Sequence, residues 1–176
     1  MNSDADIYPA PDALLNKANI LVDENCNARL ADFGLITIVS DPSVSTTLSS
    51  LAGNGTMQWK SPELFGDNYR PTVKSDCYAL GMVIYEVLSG QIPFAGLNQF
   101  AVYNKILGGH RPARPGGVQG LWFTNDLWEM LSCCWAAQPK IRPGIGVVFE
   151  CLEQISATWK PPAHQVDEDT KEDKDE

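Results

Sequence analysis

Apolar residues crowd most densely between positions 74 and 89. Cys77, Tyr78, Ala79, Leu80, Met82, Val83, Ile84, Val87 and Leu88 follow one another there with few polar interruptions. The pattern predicts a helix over 74–89, with Ser75 as its N-cap and Gly90 as its C-terminal stop. A helix apolar on nearly every side belongs in a core, so this one is expected to have neighbours all round. Further helices are predicted over 98–108, over Thr124 to Trp135 with Thr124 or Asn125 as cap, and from Pro143 to about Trp159. Near the start, Ala18 to Val22 is a short apolar run. Asp23 to Asn27 is turn-forming, and Ala28 to Ala31 alternates again, which reads as a small β-hairpin. Residues 35–60 are rich in Ser, Thr and Gly without sustained period and read as one long loop. Arg111 to Gly120 is a second, Pro/Gly-rich loop. The fold class expected is mainly α, with one small β-hairpin.

Composition adds boundaries to this picture. The chain has 176 residues, 44% of them hydrophobic, enough for one domain with its own core. The net charge is −9, and Asp167 to Glu176 holds seven acids and two lysines. That tail, from residue 160 on, is expected to be disordered and solvated. Residues 1–13, polar and with Pro9 and Pro11, are expected to be disordered as well, which leaves 14–159 as the folded domain. No run is long enough to span a bilayer, and Met1 to Asp12 lacks the apolar stretch of a signal peptide. A cytoplasmic or nuclear location and no membrane partner follow. Basic residues are few and scattered, which argues against a nucleic-acid partner. The five cysteines include no C-x-x-C pair, so neither a metal site nor a disulfide framework is expected. Cys77, Cys133 and Cys134 sit among apolar residues and read as buried thiols.

The candidate chemistry lies in short ordered motifs. Asp32-Phe33-Gly34 is followed, across the long loop, by Ser61-Pro62-Glu63. Asn19 precedes the first triplet by the length of the hairpin. Gly55-Thr56 lies just before Trp59. Ser75-Asp76-Cys77-Tyr78-Ala79-Leu80-Gly81 opens the apolar helix, and Cys134-Trp135 and Arg142-Pro143 come late. Alone, each has a plain structural explanation: a turn, a cap, a first-turn acid favoured by the helix dipole. Together, in this order, they resemble the large, C-terminal lobe of a eukaryotic protein kinase over roughly residues 14–158. The Cys-Trp pair is similar to that of the tyrosine-kinase and tyrosine-kinase-like groups, whereas Gly55-Thr56 leans towards Ser/Thr specificity. The resemblance implies ATP and Mg²⁺ as cofactors, with Asn19 and Asp32 as the metal and nucleotide ligands. It also implies that Thr56 lies in the substrate-docking loop and that Asp76 holds the catalytic-loop backbone. Finally, it implies that Glu63 and Arg142 form a buried ion pair, and that Phe33 and Gly34 complete the activation-segment anchor.

The same resemblance exposes departures. The family's catalytic loop reads H-x-D-L-K-x-x-N. Counted back from Asn19, Leu14 stands at the base position and Asn16 at the Lys position, so no catalytic residue of that loop is intact. Leu cannot accept the substrate hydroxyl proton, and Asn cannot neutralise charge developing on the γ-phosphate. There is no G-x-G-x-x-G and no V-A-I-K-like strand, and the dozen residues before the loop leave no room for a small lobe. Three functions stay open on these grounds. The chain is an active Ser/Thr or Tyr kinase, a pseudokinase-like module that binds a protein partner, or a truncated product without function of its own.

Overall fold

The computed structural model describes residues 19–30, 57–66 and 72–160. It is mostly helical, with a single two-stranded sheet among the described residues. Strands β1 (Ile20–Val22) and β2 (Ala28–Leu30) pair antiparallel, with Leu21 opposite Arg29. Asp23 closes the turn. Its carboxylate accepts from the backbone N–H groups of Asn25 (3.0 Å) and Asn27 (2.8 Å) and from Nε of Arg29 (2.9 Å). Such side-chain-to-backbone bonds are why Asp favours turns. The hairpin is therefore where the sequence predicts it.

The apolar helix becomes α1 (Val73–Ser89). Its cap is Thr72 rather than Ser75. Thr72 has the extended backbone a cap requires, at φ −139°, and its hydroxyl accepts the N–H of Ser75 at 3.3 Å. Ser75 Oγ accepts the N–H of Thr72 in return at 2.6 Å, so the two close a reciprocal capping box. Ser75 belongs to that motif as its third helical residue. Gly90 ends the helix as predicted, in the left-handed region at φ 70°.

The other α-helices among the described residues are α2 (Gln99–Leu107), the single turn α3 (Gly117–Gly120), α4 (Asn125–Cys134) and α5 (Ile145–Thr158). Asn98 and Thr124 cap α2 and α4 through their side-chain oxygens. Helix α5 begins two residues after Pro143, with Gly144 as cap. The residue before a proline is pushed to extended geometry, and Arg142, at ψ 144°, has it. That bend keeps Arg142 outside α5. The Pro/Gly loop contains α3, and the long Ser/Thr-rich loop ends in a 3-10 turn, Met57–Trp59. The rest of that loop lies outside the described residues.

The core forms where α1 meets α4. Cys77, Tyr78, Met82 and Val83 of α1 pack with Leu127, Met130, Leu131 and Cys134 of α4, and Trp59, Phe123, Trp135 and Val148 close the cluster. Gly81 is needed at the crossing. A Cβ there would stand 2.7 Å from Nε1 of Trp135 and 3.0 Å from Cβ of Cys134. On α4 the inward positions follow helical spacing, 127, 130, 131 and 134, which turns Cys133 outwards. Cys133 is exposed, against the expectation of a buried thiol, while Cys77 and Cys134 are buried as expected. Among the described residues α1 does not have neighbours on every side. Val87 is 64% exposed and Val73 49%, and Leu80, Ile84 and Leu88 are only half-buried.

Candidate functional site

Arg142 organises the best-defined polar site. Its side chain is fully enclosed, and that of Glu63 is 9% exposed. Nη1 donates to Oε1 of Glu63 at 2.6 Å, and Nη2 donates to Oε2 at 2.7 Å. This fork-to-fork geometry suits a guanidinium and a carboxylate. The other donors reach backbone: Nε to the carbonyl of Ala136 (2.8 Å) and Nη1 to that of Lys74 (2.9 Å). Lys74 Nζ returns a bond to the Arg142 carbonyl at 2.6 Å. One side chain thus ties the 3-10 turn Pro62–Phe65, the first turn of α1 and the approach to α5. Burial alone would raise the Glu63 carboxyl, but the bonds and charge of Arg142 outweigh it and hold Glu63 below its usual range.

Tyr78 shares this site, although nothing in the sequence separates it from an ordinary core aromatic. The guanidinium of Arg142 lies over its ring at 5.1 Å and that of Arg111 at 5.2 Å. Burial pushes its hydroxyl up to about 12, partly offset by those two cations. Lys74, Tyr78 and Arg111 are the site residues that motif reading missed. Each signal is a side-chain contact across more than 20 residues or between elements, which no local pattern carries.

Asp76 stands in the first turn of α1. Burial pushes its carboxyl up to about 6 from 3.8. Among the described residues no donor meets it. A raised folded-state value means that the group favours folding below pH 3.8 and that this advantage is lost as pH rises through about 6. Asp76→Asn is therefore expected to raise the melting temperature at pH 7 and to flatten its dependence on pH between 4 and 6. Thermal melts of both proteins across that range check it. A destabilised Asn variant at pH 7 would instead mean that the ionised carboxylate is hydrogen-bonded, the backbone-holding role that the kinase resemblance implies.

Asn19 is half-buried at the entrance to β1. Leu14, Asn16, Asp32, Phe33, Gly34 and Thr56 lie outside the described residues. The structure therefore brings together Glu63, Arg142 and the start of α1, and of the two expected metal ligands it places only Asn19. Among the described residues no cluster of three or more His, Cys, Asp or Glu side chains is positioned to hold a metal ion. No described helix is long and apolar enough to cross a membrane.

Comparison with known proteins adds the family. Residues 14–152 match the family described as protein tyrosine and serine/threonine kinase. A dual specificity protein kinase of Dictyostelium discoideum is 36% identical over 147 residues, covering 82% of this chain and 10% of the relative. A tyrosine-protein kinase receptor of Gallus gallus is 32% identical, over 78% of this chain and 15% of its own length. A putative serine/threonine-protein kinase/receptor of Acanthamoeba polyphaga mimivirus is 36% identical, over 80% and 8%. The chain thus spans only a small part of each of these relatives.

Proposed function

This chain belongs to the protein tyrosine and serine/threonine kinase family, and on that premise we propose that it is a kinase-fold interaction module that does not itself transfer phosphate. The observation that carries the reading is a contrast. The framework pair Glu63–Arg142 is retained with bidentate geometry, while Leu14 fills the base position and Asn16 the Lys position. In phosphoryl transfer the base carboxylate accepts and orients the attacking hydroxyl, and the cation beside it offsets charge on the transferred group. An isobutyl group and a neutral amide do neither. Positioning and electrostatic groups of this kind contribute orders of magnitude each to such reactions.

Asn19 and Asp32 are the residues that would hold Mg²⁺ and, through it, ATP. The bound pair would supply the phosphoryl group and neutralise its oxygens. Their retention favours a second reading, in which the chain is the catalytic-lobe part of a working Ser/Thr or Tyr kinase, as the names of its relatives suggest. The proposed partner of the module is another protein, and the proposed location is the cytoplasm. The half-open apolar stripe on α1 and the five free cysteines support those two assignments.

Calorimetry with ATP and Mg²⁺, together with label transfer from ATP to a generic protein substrate, separates the readings. We expect no transfer above that of Asp32→Ala, whether or not nucleotide binds. Mg²⁺-dependent phosphorylation that Asp32→Ala abolishes would overturn the proposal in favour of the kinase reading.

A further inference from the structure

A concavity lined by neither Glu63 nor Arg142 lies between the end of α1, the loop that follows it and the C-terminus of α2, and it meets the Arg142 site only through Arg111. It is half open to solvent, with a volume of about 250 Å³. Tyr85, Phe94 and Pro112 form an apolar wall, Lys105 and Arg111 a cationic one with the imidazole of His110 beside them, and no acid lines it. That is notable in a chain with 22 acids against 13 lysines and arginines.

The cationic wall is built by local geometry. The N–H of His110 donates to the carbonyl of Lys105 at 2.9 Å, and that of Gly109 donates to Ile106 at 3.1 Å. With Gly109 in the left-handed region at φ 80°, this is a Schellman turn, and it folds His110 back beside the last turn of α2. Arg111 is held in place from behind. Its Nε donates to the carbonyl of Trp135 at 2.8 Å, and Nη1 donates to that of His110 at 2.7 Å. No carboxylate pairs with Lys105, His110 or Arg111 among the described residues. A charge anchored on carbonyls is preorganised for a ligand and loses little freedom on binding.

We propose that this cavity is a phosphomonoester site that takes a phosphorylated side chain. A guanidinium and an ammonium suit a dianionic oxyanion, and the aromatic wall suits an apolar body behind it. The volume falls below the roughly 300–1,000 Å³ of sites for drug-sized ligands, which favours a side chain over a nucleotide. The assignment is independent of whether the chain transfers phosphate, since it uses none of Asn19, Asp32 or Leu14.

The test is titration of the full chain, followed by backbone amide NMR, with phenyl phosphate, inorganic phosphate, and sodium chloride at matched ionic strength. We expect saturable shifts confined to residues around 91–95 and 105–113, with phenyl phosphate at least about threefold tighter than inorganic phosphate. Lys105→Ala with His110→Ala, both at exposed positions, should weaken phenyl phosphate by about tenfold or more. Phenyl phosphate no tighter than inorganic phosphate would overturn the side-chain assignment. Shifts reproduced by chloride, or binding unchanged in the double variant, would overturn the site itself.

Discussion

Arg142→Ala is expected to destabilise the fold by roughly 3–5 kcal/mol, the cost of breaking a buried pair from one side. The substitution takes from the Glu63 carboxylate the two donors of Arg142 and from the carbonyls of Lys74 and Ala136 the bonds that Arg142 gives them. It also removes one of the two cations over Tyr78. Against a typical domain stability of about 5–15 kcal/mol, that is enough to leave a large unfolded fraction. Chemical denaturation of the variant checks the value, and a change within about 0.5 kcal/mol would mean two exposed, weakly coupled charges. Glu63→Gln separates charge from shape. It keeps an acceptor for one guanidinium nitrogen and should cost less than Arg142→Ala. The pH dependence has a definite sign. Because Glu63 is held below its usual 4.5, its contribution is present above that pH and is lost as pH falls through the folded-state value. The slope from Glu63 is thus opposite to that from Asp76, and the two single variants should tilt the stability profile in opposite directions.

Trp135→Ala is expected to cost about 3–5 kcal/mol, in the range of large aromatic truncations in cores. The indole is 2% exposed. Its ring meets Trp128 edge-on at 5.6 Å and Tyr85 at 6.1 Å, and it fills the space that Gly81 leaves open on α1. The backbone of the same residue anchors Arg111, so the loss would loosen the α1–α4 contact and the cationic cavity together. Trp135→Phe is the informative companion. It keeps ring–ring contact and removes the indole N–H, a buried donor without a hydrogen-bond partner among the described residues. An unpaired buried donor is itself costly. The Phe variant should therefore retain more than half of the stability that Ala loses. Equal losses for Phe and Ala would show that the indole N–H matters more than the packing.

The large elements were legible in the sequence because their causes are local. Apolar spacing and caps mark α1, α2 and α4 to within a residue or two, and Asp23 to Asn27 marks the hairpin turn. That Leu14, counted back from Asn19, falls where the resemblance expects the base is likewise a reading of order and spacing alone. The Glu63–Arg142 pair was legible only through the family resemblance, since 79 residues separate the partners. What tertiary structure decided is which side of each element found a neighbour. Composition alone predicts neighbours all round for α1, yet burial depends on what lies opposite, and Val87 stays 64% exposed. Cys133 and Cys134 are adjacent and chemically identical, but helical rotation sends one out and one into the core. Tyr78 beneath two guanidinium groups arises where separate segments cross. The cavity with Lys105, His110 and Arg111 depends on a turn whose direction is set by Gly109 at positive φ and on a carbonyl presented by Trp135. Such contacts are made between segments, so the residues that form them look unremarkable one at a time.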